Sequence, residues 1–171
     1  MEKWISCPDL RMGRLAAVAA HPLAELLECP SDIGRILTGA SRSIALEAGE
    51  IAFHQSSLSK GLYVVVSGEF VRKTERLQTR VPLGSVRVGE LVELAATLGD
   101  GKHTYTLSAI TAGTLLLLPT EALKQAFVKF PELRMRLLEE LAREVSRAYI
   151  SCCLTRVTPA RRNSNTVAKH R

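Results

Sequence analysis

The hydrophobic period changes twice along the chain. Around residues 22–40 apolar positions recur at helical spacing. HPLAELLEC places Leu23, Leu26 and Leu27 at i, i+3 and i+4. Pro22 suits a first helical turn. Ser31 stands where it can cap a second short helix, SDIGRIL, and Gly39 where it can stop it. From 41 to 118 the period falls towards two, in short runs broken by turn residues. Ile44 and Leu46 alternate in SRSIALEAGE, and IAFH is short and largely apolar. LYVVVSGEFVRK is β-branched and aromatic, with Gly68 where a tight turn fits. TRVPLGSVRVG, HTYTLSAIT and GTLLLLP complete the set. From 119 the pattern is helical again. Thr120 is placed to cap EALKQAFVKF, and Pro131 opens PELRMRLLEELAREVSRAYISCCL with Glu132 in its first turn, where the helix dipole favours an acid. The order predicts a mainly β fold, a jelly roll or barrel, with flanking helices and a long C-terminal helix. It divides the chain into an N-terminal arm, 1–22, with Trp4; a domain, 23–154, ending in a helix over 131–154; and a tail, 155–171.

Composition narrows this picture. The chain has 171 residues, 46% hydrophobic and 23% charged, as one globular domain requires. No apolar run approaches the roughly 18 residues of a membrane span. The N-terminus lacks the charged-then-apolar order of a secretory signal, so a cytoplasmic protein is expected. Cysteines at 7, 29, 152 and 153 form no C-x-x-C, which predicts reduced thiols and no metal site. Five of the six net positive charges lie in the tail, on Arg156, Arg161, Arg162, Lys169 and Arg171. The body is near neutral, which argues against a basic nucleic-acid face. The tail, without aromatics or apolar periodicity, is expected to be disordered and solvated.

Several marks in order carry a family resemblance: L-x-A-G-E at 46–50, GLYVVVSGEF at 61–70, GELVELAATLGDGKHTYTLSA at 89–109, TLLLLP at 114–119 and F-x-x-F-P-E-L at 127–133. Together they resemble the cyclic-nucleotide-binding domain family over roughly 23–154. That family includes the sensor halves of catabolite-activator and FNR-type regulators and the regulatory subunits of the cyclic-AMP-dependent kinase. The resemblance implies an eight-stranded β-roll (a double-stranded β-helix of the jelly-roll kind), a dimerising last helix and a cyclic nucleotide as ligand.

The stretch 89–109 aligns without a gap on the family's phosphate-binding cassette, G-E-x-F-G-E-L-A-L followed by an Arg and A-A-T-V-x-A. Gly89 takes the first Gly. Glu93 then stands at the second Gly, Leu94 at the Glu, Lys102 at a Pro and His103 at the Arg, with Thr104 beginning the last run. In the family the Arg grips the cyclic phosphate as a fork and the Glu accepts the ribose hydroxyl. Leu94 has no acceptor, and a neutral imidazole cannot form the fork. Each lost charged hydrogen bond costs about 1.5–3 kcal/mol. A second register makes Glu90 of Gly89-Glu90-Leu91 the ribose acceptor, with four extra residues before His103. It too lacks the Arg, unless Lys102 substitutes as a point charge. The candidate pocket is thus Gly89, Glu90, Glu93, Leu94, Lys102, His103 and Thr104, with cyclic-nucleotide binding not expected in the usual manner.

Simpler roles stand beside these. Leu94, Ala95 and Leu98 read as the buried side of a short helix, and Glu93 as exposed. Lys102 and His103, after the turn Gly99-Asp100-Gly101, read first as solvated loop residues. No nucleophile–base pair or catalytic motif stands out, so no enzyme is expected. Leu138, Leu141, Val145, Ala148 and Cys152 fall 3, 4, 3 and 4 apart, an a/d seam that predicts a homodimer. The 17 residues after Leu154 hold no recognition helix, so direct sequence-specific DNA binding is not expected. The expected function is a non-catalytic regulatory or sensor module acting on a protein partner. The alternatives are a true small-ligand sensor and a truncated transcription regulator.

Overall fold

The computed structural model describes residues 23–76 and 79–157, and side chains over 23–74 and 83–150. The alternating runs become eight strands: β1 (Arg42–Leu46), β2 (Ile51–Phe53), β3 (Gly61–Ser67), β4 (Phe70–Arg76), β5 (Thr79–Val86), β6 (Leu91–Val92), β7 (Thr106–Ala109) and β8 (Gly113–Pro119). They form two four-stranded antiparallel sheets, ordered β1-β8-β3-β6 and β2-β7-β4-β5. The helices are α1 (Ser31–Ala40), α2 (Leu94–Leu98), α3 (Thr120–Lys129) and α4 (Pro131–Val157).

Two cores explain why β3 and β8 are apolar without alternation. Tyr63 and Val65 of β3 and Leu115 and Leu117 of β8 point into the roll, where they meet Phe53, Phe70, Val86, Tyr105 and Leu107. Leu62, Val64 and Leu118 point the other way and are covered by Leu37 of α1, Leu123 of α3 and Leu133 and Leu137 of α4. A sheet buried on both faces needs apolar residues at every position. Between β3 and β4 the chain turns at Gly68, whose φ is +82°. A Cβ there would lie 2.7 Å from the Cα of Gly113, so the turn needs both a left-handed residue and a bare one.

Both expected serine and threonine caps fall one place late. Pro30 and Pro119, with extended ψ values of 148° and 143°, precede α1 and α3, so Ser31 and Thr120 are already inside their helices. Gly39 does not stop α1. The helix runs to Ala40, and Ser41 closes it by donating its N–H and its hydroxyl to the Thr38 carbonyl. Of the described part of HPLAELLEC, residues 23–26 are helical and the chain turns at 27–28. Helix α4 extends three residues beyond Leu154, to Val157. The arm 1–22 with Trp4 and Cys7, the tail from 158, and the side chains of Cys152 and Cys153 lie outside the described residues. Among the described residues no helix is long and apolar enough to cross a membrane.

Candidate functional site

The segment 89–109 is held against β3 at its start. Gly89 donates its N–H to the Val65 carbonyl, and Val65 donates back to the Glu90 carbonyl. Gly89 takes a φ of +85°, and Glu93 a φ of +72° with ψ of 36°, at the entry to α2. A left-handed backbone is uncommon for a residue with a side chain. At Glu93 it turns the carboxylate inward, while the Glu93 carbonyl accepts the Thr97 N–H at 2.9 Å and so starts the helix.

Glu93 is only 3% exposed. One carboxylate oxygen lies 3.4 Å from the Thr104 N–H, which donates to it, and the other accepts the Thr104 hydroxyl at 3.4 Å. His103 Nδ1 approaches Glu93 Oε2 at 3.3 Å, without the alignment of a hydrogen bond. The imidazole stacks on Phe53, with centroids 3.8 Å apart and planes 9° from parallel, and tilts against Tyr63 at 6.0 Å. Burial pushes the Glu93 carboxyl up to about 7, against the pull of its Thr104 hydrogen bonds. Burial pushes His103 down to about 4. Both directions favour a neutral carboxyl beside a neutral imidazole, since neither charge is solvated.

These placements overturn two expectations. Glu93 is buried rather than exposed, because the left-handed residue aims it into the roll. His103 is buried rather than solvated: His103, Tyr105 and Leu107 alternate inward on the approach to and along β7, with exposed Thr104 between the first two. Lys102, one place earlier, is exposed as expected. Leu94, 2% exposed, packs with Leu23, Leu27, Leu133 and Leu137, on the buried side of α2 as expected.

The candidate pocket therefore divides. Gly89, Glu90 and Leu94 line a cleft of about 620 Å³ between the roll and α4, whereas Glu93, Lys102, His103 and Thr104 are not on its wall. The cleft brings in residues that the sequence did not single out, above all Arg72 of β4. Its Nη1 donates to Glu144 Oε1 of α4 at 2.5 Å, and its guanidinium lies 5.7 Å over the Tyr105 ring. Arg143 pairs with Glu139 and Glu140 of its own helix, while Arg136 donates to the Glu28 carbonyl and pairs with its carboxylate. Charge alternation within β4 offers no sign that Arg72 and Glu144 meet, since they are 72 residues apart.

On α4, Leu133 and Leu137 are buried and Leu141 packs against the same core. Of the predicted seam, Leu138 is half-buried, Val145 and Ala148 are exposed, Leu141 faces the body, and the Cys152 side chain lies outside the described residues.

The comparisons agree with this architecture. The family model described as "Cyclic nucleotide-binding domain" matches residues 43–130, just over half of the chain. No curated protein matches the chain in sequence. Among solved structures, the catabolite activator protein of Thermus thermophilus is 24% identical with a TM-score of 0.67, over 78% of this chain and 62% of that protein. The chain thus spans less than two thirds of that relative's length. A cyclic nucleotide-binding domain from Methylobacillus flagellatus aligns over 82% of this chain and 85% of its own, with a TM-score of 0.71 at 14% identity. The sensor domain of the transcriptional regulator DNR from Pseudomonas aeruginosa covers 80% and 91%, with a TM-score of 0.65 at 18% identity. By the family match, and by a roll whose strand order, cassette and last helix accompany it, the chain belongs to the cyclic nucleotide-binding domain family.

Proposed function

We propose that this chain is a non-catalytic regulatory module, cytoplasmic and dimeric through α4, in which the cassette serves as architecture and not as a cyclic-phosphate site. One observation carries the reading. The side chain at the family's arginine position, His103, is stacked on Phe53 inside the roll at 3% exposure, beside a buried carboxylate. It presents no charged fork to the cleft. Calorimetry with cyclic AMP and cyclic GMP should give no affinity tighter than about 10 μM. A dissociation constant below that value overturns the reading.

The dimer rests on α4. Met135, Leu138, Ala142, Val145 and Tyr149 fall 3, 4, 3 and 4 apart on the face turned from the body, and Met135, Val145 and Tyr149 are 58%, 59% and 71% exposed. That is a heptad stripe with no cover among the described residues. It shares Leu138 and Val145 with the seam expected from sequence and replaces Leu141, which the body uses.

A second reading, a sensor for a small ligand other than a cyclic nucleotide, is favoured by the cleft itself. Its volume is within the range of small-molecule sites.

A further inference from the structure

Glu93 and His103 are held in the roll by unequal means. The loop after β2 ties the His103 backbone on both sides. Its carbonyl accepts the Ser56 N–H at 2.8 Å, and its N–H donates to the Ser57 carbonyl at 2.9 Å. The Ser59 N–H donates to the Gly101 carbonyl at 2.8 Å and fixes the approach. The His103 ring lies flat on Phe53. The Glu93 carboxylate has two hydrogen bonds, both from Thr104 and both 3.4 Å long, beyond the usual range. Its backbone φ is +72°, and a left-handed residue with a side chain persists only while its surroundings enforce it. Of the two, His103 is the seat and Glu93 the arm that can leave it.

The interior is a poor place for a bare carboxylate. Phe53 of β2 offers no charge. Tyr63 of β3 and Tyr105 of β7 are phenols that burial and the Glu93 charge keep protonated. Glu144 of α4 repels the Glu93 charge, and Arg72 of β4, which attracts it, is paired with Glu144. Helix α2 itself carries no charged residue. Glu93 Oε2 faces His103 Nδ1 at 3.3 Å, and that nitrogen is buried without a hydrogen-bond partner. With a proton on the carboxyl, its O–H can turn to that nitrogen. Without one, a desolvated charge faces a neutral ring.

We propose that Glu93 and His103 form a proton-operated latch at the head of α2. Protonated Glu93 stays seated against His103; when the O–H proton passes to solvent, the carboxylate swings out of the roll. In swinging out, Glu93 leaves the left-handed region and releases both Thr104 hydrogen bonds. Leu94 stays in the helical core with Leu133 and Leu137, so the movement is confined to the Glu93 turn and Thr104. Burial holds the Glu93 carboxyl up to about 7, so the arm is seated below that pH and released above it. The latch gives the regulatory module an input, the hydrogen ion, and needs neither a cyclic nucleotide nor a dimer.

Hydrogen exchange of the full chain, corrected for the intrinsic rise of exchange with pH, tests the latch. The reporters are the Thr104 amide, which donates to the Glu93 carboxylate, and the Thr97 amide, which donates to the Glu93 carbonyl. Both should lose about tenfold of their protection between about pH 6 and about pH 8, while amides of the β3–β8 ladder keep theirs. Glu93→Gln, which cannot ionise, should hold the protection of both reporters across that range. If Glu93→Gln does not fold, Glu93→Gly takes its place with Thr97 as reporter, since Gly accepts a positive φ without strain. Constant protection in the unaltered chain overturns the latch, as does an equal loss in the variant. A matching loss along the β3–β8 ladder overturns it too, because the whole roll then opens. Carboxyl-carbon NMR reads Glu93 directly. Its midpoint should coincide with the exchange transition, and a midpoint in the ordinary carboxylate range overturns the proposal.

Discussion

At the scale of the residue, Glu93 and His103 are the least ordinary pair in the protein. One has a left-handed backbone and both are 3% exposed, with carboxylate and imidazole 3.3 Å apart. Their opposed shifts have a consequence for stability. Glu93 holds its proton to about 7 when folded but only to 4.5 when unfolded, so the folded state binds more protons between those values and stability falls as pH rises through that window. His103 releases its proton by about 4 when folded but 6.5 when unfolded, so its contribution rises with pH from 4 to 6.5. Between pH 4.5 and 6.5 the two slopes oppose and nearly cancel. Chemical denaturation across pH should therefore show a rising slope in Glu93→Gln and a falling slope in His103→Phe, each on the order of 1 kcal/mol per pH unit. Equal slopes in both variants and the unaltered chain would refute the buried pair. Neither burial was legible in the sequence. Glu93 reads as a polar helix start, and only a backbone φ turns it inward. His103 carried a usable signal, the alternation His103-Tyr105-Leu107, but the preceding Gly-Asp-Gly turn argued for a loop.

At the scale of the element, α4 serves two masters. Leu133 and Leu137 bury one face in the helical core, where α4 packs on α2 and α3, while Met135, Leu138, Ala142, Val145 and Tyr149 leave another bare. Substitutions on the two faces should separate. Leu137→Ala removes a 3%-exposed side chain and should cost about 2–5 kcal/mol in folding, measured by denaturant titration. Val145→Glu, at a 59%-exposed site, should leave the fold intact and reduce the mass seen by sedimentation equilibrium to one chain. A dimer that survives Val145→Glu together with Leu138→Glu would place the contact elsewhere. The heptad spacing of this helix was readable. Which of two overlapping stripes faces outward was not, because Leu138 and Leu141 are equally apolar and only docking against the roll claims Leu141.

At the scale of the whole molecule, association and stability are linked. If two copies pair through α4, the midpoint of thermal unfolding should rise with protein concentration, since mass action favours the associated native form. A midpoint independent of concentration over a hundredfold range, with a one-chain mass, would remove the dimer. The roll and helix also enclose the cleft between them, so its walls come from β4, the start of the cassette and α4, none of which is a site alone.

The sequence by itself determined seven of the eight strands, β6 at Leu91–Val92 being the exception, together with the helix–roll–helix order and the start of α4 at Pro131. These follow from local period, turn residues and single side-chain identities, which act over a few residues. The tertiary structure alone decided that Glu93 and His103 share the roll interior and that Arg72 meets Glu144 across a cleft. Those facts depend on one left-handed backbone and on contacts between segments distant in the chain, and no local pattern encodes which distant residues will meet.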